Sequence, residues 1–218
     1  MPVFLFLVAI PFFVVIFVFT SSKVFQILFG ISYTEAITIF SLIVIGSFVN
    51  IPIYEKEGKE VIERYYFLWF VYSVRKRKKI TIAINLGGCI IPLVLALKLL
   101  AEIPILDFLI AFTVSTLVIY HFAKPIPNVG IVVPMFIPPT ISAISSFFAL
   151  LAFNHPIFIL PKLSFAVGVL SALFGADILH LNEIEKIGSG VVSIGGAGTF
   201  DGIFLTGVFA VIFSFLII

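Results

Sequence analysis

Uncharged, apolar stretches of near-spanning length alternate with short charged segments along this chain. A helix needs about 20 mostly apolar residues to cross the hydrocarbon layer. The pattern predicts about seven of them, over residues 1–22, 36–54, 80–97, 108–123, about 139–153, 163–181 and 202–218. Pro11 predicts a kink or a late start in the first. The last two reach spanning length only by counting Asp177 and the turn to residue 181 into one, and by letting Asp201 cap the other.

Two regions break the pattern. Residues 55–79 carry eight basic and four acidic side chains around an aromatic stretch at residues 65–72, including Tyr65, Tyr66, Trp69 and Tyr72. It is too short between charges to span, and its β-prone composition predicts a short cytoplasmic hairpin or interfacial segment. Residues 125–161 are free of Asp, Glu, Lys and Arg but hold seven prolines, so they cannot form one continuous helix. Residues 125–138 are predicted to be a broken or re-entrant piece. Non-helical backbone at membrane depth survives only against protein or a wet cavity, so this piece is expected to line something.

Composition turns the pattern into a fold class. With 61% hydrophobic and 11% charged residues and a mean hydropathy of +1.29, the chain is too apolar for a soluble globule. The expectation is an all-α membrane protein, a single integral domain over residues 1–218, with no repeat or linker marking a second one. The first stretch has no basic leader and no small-residue cleavage pattern, and is read as a mature span and not a signal peptide.

The net charge of +2 is unevenly spread. Lys56, Lys59, Arg64, Arg75, Lys76, Arg77, Lys78, Lys79, Lys124 and Lys186 fall on one side of the predicted spans, and Lys23, Lys98 and Lys162 on the other. Basic residues collect in the cytoplasm. This predicts a multi-pass cell-membrane protein with its N-terminus inside and its C-terminus outside. The run at residues 75–79 reads as a contact for anionic lipid headgroups and not for nucleic acid. Cys89 stands alone in an apolar stretch, which excludes a disulfide within the chain and suggests packing.

The sixth predicted span runs toward the cytoplasm and the seventh returns, so Asp177 and Asp201 are expected at the same end. A carboxylate inside a span costs about 2.5 to 3.5 kcal/mol at the centre and less near the interface. Two at one level call for one explanation. If their carboxyl groups lie within about 3 Å they cannot both ionise, and the pair can act as base and acid on a water. The plainer alternative is two helix-end residues, with Asp201 in the first turn of the last span where the helix dipole favours it. A third is a cation or proton site. Between the two aspartates lies a glycine-rich segment with Gly188, Gly190, Gly195, Gly196, Gly198 and Gly202. Gly195, Gly196 and Gly198 let backbone approach closely and are candidates to admit an extended substrate. Small residues for helix packing are the alternative.

These residues carry a resemblance. Ala176-Asp177-Ile178-Leu179 followed by Gly196-Ala197-Gly198-Thr199-Phe200-Asp201-Gly202-Ile203-Phe204 is similar to the paired motifs of the intramembrane aspartyl proteases, the presenilin and signal-peptide-peptidase group. In that group the first aspartate commonly follows a tyrosine, and the second directly follows Gly-x-Gly. Here Ala176 stands for the tyrosine, Thr199 and Phe200 intervene, and no Pro-Ala-Leu segment follows. The resemblance covers roughly residues 163–218. It implies that Asp177 and Asp201 are catalytic and that a membrane-anchored peptide is the substrate, with docking left to Val133-Pro134 or to Pro138 and Pro139 in place of the absent segment. Over its full length the chain resembles an uncharacterised family of prokaryotic multi-pass membrane proteins, through Asn85-Leu86-Gly87-Gly88, Pro92, Pro127-Asn128-Val129-Gly130 and the glycine-rich segment.

Other polar groups are weaker. Asp177, His180 and Glu183 would line one side of a continued helix, as metal ligands do, but also as a solvated end paired with Lys186 does. No metal and no cofactor are expected. Asn85 with Gly87 and Gly88 permits close helix contact. His121 and His155 sit at span ends and are read as interfacial. Besides the protease reading, the aspartates allow a transporter or channel, and the basic hairpin allows a membrane scaffold.

Overall fold

The computed structural model describes residues 2–67, 70–126, 130–186, 190–196 and 202–218. Helix α1 (Pro2–Phe29) contains Pro11, and α2 (Tyr33–Gly46) begins where Ser32 and Glu35 cap each other's main-chain amides. Two amides that the helix itself leaves without a partner are thereby satisfied.

The second and third spans come out shorter than expected. Helix α2 stops at Gly46, and from Asn50 the chain is strand β1 (Asn50–Phe67), antiparallel to β2 (Phe70–Asn85) from the Asn50–Asn85 pair outward to Phe67 opposite Phe70. The hairpin is therefore longer than the short one expected over residues 55–79. The third helical segment starts with a π-helical turn (Leu86–Ile90), then α3 (Ile91–Leu99) and a 3-10 turn (Leu100–Glu102). Ile51, Ile53, Ile80, Thr81, Ile82 and Ile84 explain the difference: β-branched side chains are stiff in a helix and pack well across paired strands.

Helix α4 (Ile105–Phe122) leads into the proline-rich region. Part of that region is a small antiparallel hairpin, β3 (Lys124–Ile126) with β4 (Gly130–Val132). Helix α5 (Ile137–Ala152) follows, with Pro138 and Pro139 in its first turn, where a missing N–H breaks no helical hydrogen bond. Helix α6 (Leu160–Ala172) runs on through a second π-helical turn (Leu173–Asp177) into a 3-10 helix (Ile178–Lys186). Strand β5 (Gly190–Ile194) then joins the hairpin, parallel to β2, and α7 (Gly202–Ile217) closes the chain. Sequence reasoning missed β5, which lies within the glycine-rich segment. Its signal is the β-branched trio Val191, Val192 and Ile194.

Among the described residues, three helical stretches are long and apolar enough to cross a membrane: Pro11–Phe29, Ile105–Phe122 and Ile157–Glu183. Helices α2, α5 and α7 are apolar but shorter. The outer surface is rich in exposed apolar groups such as Phe12, Ile45, Leu109, Leu117, Phe148 and Leu216. In water so broad an apolar face would drive association, whereas acyl chains cover it without cost. The fold is an all-α membrane bundle of seven helices with a β hairpin attached.

Helix α6 is the axis of the bundle. Every residue from 163 to 173 is buried. It meets α7 through two glycines: a Cβ at Gly168 would lie 3.2 Å from the Thr206 carbonyl oxygen, and one at Gly207 would lie 2.6 Å from Val169 Cγ2. Without side chains there the backbones come close enough for dispersion contacts along the crossing. Phe25, Phe40, Phe165 and Phe204 fill the core beside them with rings tilted or edge-on.

Two ends follow from these contacts. At one end Lys162 bonds Glu102, and Lys98 lies 5.5 Å over the Phe29 ring. At the other lie the root of the sheet, Asp177 and His180.

Candidate functional site

Three stretches distant in sequence converge at the sheet end: Asn85 to Gly88, Asp177 to His180, and β5 with the glycines after it. Asn85 is buried and uses its whole amide. Its Nδ2 donates to the Ser47 carbonyl at 2.7 Å and to Asn50 Oδ1 at 2.9 Å, while its Oδ1 accepts from the Gly88 amide at 2.7 Å. Asn50 Oδ1 also accepts from Ser193 Oγ at 2.5 Å. One side chain thus ties the end of α2, both hairpin strands and the start of the third helical segment together, with β5 attached through Asn50. Burying an amide without partners costs about 1 to 3 kcal/mol, so the full set of bonds is needed.

The glycines set the spacing. A Cβ at Gly87 would stand 1.9 Å from the Ile43 carbonyl oxygen, so only glycine lets the π-helical turn cross the end of α2. Gly195 is doubly constrained. Its φ is +72°, and a Cβ there would sit 2.5 Å from Cys89 Cβ. A Cβ at Gly196 would meet Ser193 Oγ at 2.2 Å. Gly195 and Gly196 are therefore packed against neighbouring chain as well as conformationally special.

Asp177 ends the π-helical turn and is half-buried. Its Oδ2 accepts a hydrogen bond from the Gly195 amide at 3.2 Å. The turn comes close to α4 because Gly175 lacks a side chain: a Cβ there would lie 2.8 Å from the Thr116 carbonyl oxygen. His180 is buried, its Nδ1 donating to the Gly175 carbonyl at 3.1 Å and its ring 4.6 Å from that of Tyr120. His180 is thus engaged by its own turn. No three His, Cys, Asp or Glu side chains group to hold a metal ion among the described residues.

Of the expected site residues, Asp177 and Gly195 touch, and Gly196 adjoins them. Pro138 and Pro139 are buried at the start of α5, where the Pro138 carbonyl accepts from Ser142 Oγ at 2.7 Å. Gly198 and Asp201 lie outside the described residues, as does the side-chain placement of residues 75–79. Sequence reasoning missed Asn50, Ser47 and Ser193 as partners of the node, since nothing in their local pattern marks them. It also missed that Asp107 and His155 pair at the far end of α4.

The model of one protein family matches residues 44–213. The chain belongs to that family, described as protein of unknown function (DUF1614). The DUF1614 match begins near the end of α2 and stops inside α7, so it takes in the hairpin, the Asn85 node, Asp177 and the glycine-rich segment and leaves out α1. The family's own description assigns no activity. Comparison with curated proteins and with solved structures gives no match to either.

Proposed function

We propose that the chain is an intramembrane aspartyl protease-like hydrolase in which Asp177 and Asp201 form the acid–base pair. One observation carries the reading: the Gly195 amide bonds the Asp177 carboxylate and so anchors, at that carboxylate, the segment that reaches Asp201 six residues later. The close α6–α7 crossing at Gly168 and Gly207 brings together the two helices that flank it.

The chemistry needs one ionised and one protonated carboxyl group. The ionised one takes a proton from water, the resulting hydroxide oxygen attacks the peptide carbonyl carbon, and the protonated one donates to the carbonyl oxygen. Collapse of the tetrahedral intermediate breaks the C–N bond as the amine nitrogen takes up a proton. The protein would cross the cell membrane several times as a single domain, N-terminus in the cytoplasm and C-terminus outside, with ten of the thirteen basic residues inside.

The test is cleavage of a membrane-anchored peptide reporter by purified full-length protein. Asp177→Asn and Asp201→Asn are each expected to abolish cleavage, since neither carboxylate alone is both base and acid. Asp177→Asn keeps an oxygen to accept from Gly195, so its thermal midpoint in detergent should hold. Cleavage retained in either variant, or absent from the wild type, rejects the dyad.

A further inference from the structure

We propose that the interfaces between α4, α5 and α6 form a proton route through the bundle, with Asp107 and His155 at its mouth and Asp177 at its far end. Asp107, in the first turn of α4, is fully buried. Its Oδ2 lies 2.8 Å from His155 Nδ1, and its Oδ1 has no protein partner. A carboxylate kept inside a membrane bundle is there because something requires it, and a purely structural one has both oxygens satisfied. His155 is partly exposed, with 39% of its side chain open. A histidine with one face open and the other on a buried carboxylate can take a proton from outside and hand it inward.

From Asp107 the polar groups continue along the same interfaces. Ser145 on α5 bonds the carbonyl of Ala111, one turn beyond Asp107, at 3.3 Å, and its Oγ lies 2.7 Å from Ser115 Oγ on α4. Ser142 Oγ, a turn earlier on α5, lies 3.3 Å from Ser171 Oγ on α6. All four serines are buried. In both pairs either hydroxyl can be the donor. That reversibility is what a relay needs, because each hydroxyl must pass a proton on and then reset.

Thr116, Ser146 and Ser164 add three buried hydroxyls without protein partners, one on each of the three helices. Thr116 sits where α4 touches Gly175, two residues from Asp177. Residues 107 to 116 span about 14 Å of helix at 1.5 Å per residue, so the row covers much of the bundle's depth. Ser142, Ser145 and Ser171 bond back to carbonyls of their own helices, as Thr113 and Ser214 do, but they also make contacts across to a neighbouring helix. The pairs Ser115–Ser145 and Ser142–Ser171 run between helices. Near the mouth, Glu102 and Lys162 bond each other, and Lys98 lies over Phe29.

This route shares Asp177 with the proposed dyad but does not involve Asp201. The test reconstitutes full-length protein in vesicles of neutral lipid enclosing a pH-sensitive dye, with a valinomycin-clamped potassium gradient as the driving force. The wild type should acidify the lumen faster than protein-free vesicles do. Asp107→Asn, which keeps an acceptor for His155, and Ser145→Ala should each lose that excess rate. A wild-type rate equal to that of protein-free vesicles overturns the proposal, and so does an undiminished rate in Asp107→Asn. If Asp107→Asn does not yield folded protein, Ser145→Ala decides alone, since it removes one hydroxyl from a helix interior: a full rate there overturns the route and a lost rate supports it. Reporter cleavage is not read, so failure of the dyad leaves the result intact.

Discussion

Asp177 and Gly195, eighteen residues apart, are joined by a hydrogen bond from the Gly195 amide to the Asp177 carboxylate at 3.2 Å. Gly195 holds a φ of +72° and lies against Cys89. Gly195→Ala should therefore destabilise the protein by about 1 to 3 kcal/mol, through backbone strain and overpacking together. Cys89→Ala should give no rescue, because the crowding atoms are the Cβ, N and Cα of Cys89, all of which alanine keeps. Thermal midpoints of the single and double variants in detergent measure this. A Gly195→Ala midpoint equal to wild type would show that the loop accommodates a side chain.

Asn85 should be the most sensitive polar side chain of the sheet root. Asn85→Ala leaves the Gly88 amide, the Ser47 carbonyl and one Asn50 interaction without their partner, for a loss of about 2 to 3 kcal/mol. Asn85→Asp keeps the acceptor for Gly88 but sets a carboxylate against the Ser47 carbonyl and Asn50 Oδ1, and should be no better than alanine. Denaturation in mixed micelles, following tryptophan fluorescence and helix content together, tests the order. An aspartate variant as stable as wild type would contradict this donor assignment.

The α6–α7 crossing offers a compensation test. Gly207→Ala places a methyl 2.6 Å from Val169 Cγ2 and 3.0 Å from the Phe165 ring. Overpacking of this kind costs about 1 to 3 kcal/mol. Because the nearest atom belongs to a side chain, Val169→Ala should recover part of the loss, and the two substitutions should be non-additive. Strict additivity in a double-mutant cycle would mean that α7 shifts away as a whole.

Topology is open to reporters. The strong bias of basic residues implies that a reporter fused after Lys79 reads cytoplasm and one fused after Ile218 reads exterior. A cytoplasmic reading at Ile218 would remove one crossing from the count of seven.

The membrane class, the number of helical segments and the break in the proline-rich stretch were legible in the sequence, because hydropathy and clustered prolines act locally, whereas the late start expected at Pro11 is absent, since α1 begins at Pro2 and runs through it. The candidate aspartate Asp177 was legible for the same reason: a charge inside an apolar run stands out. Where the second span ends was not, since the apolar run continues past Gly46 whether the chain is helix or strand, and only pairing with β2 decides for strand. Strand β5 was hidden likewise, a short β-branched run whose partner lies more than a hundred residues earlier. Only tertiary structure brought Asn85, Asn50 and Ser193 together, seated Gly195 on Asp177 and set Asp107 against His155. Composition and period are properties of one stretch of chain, whereas a hydrogen bond between distant residues depends on how closely two backbones approach. That distance was decided here by glycines whose neighbours appear only once the helices have packed.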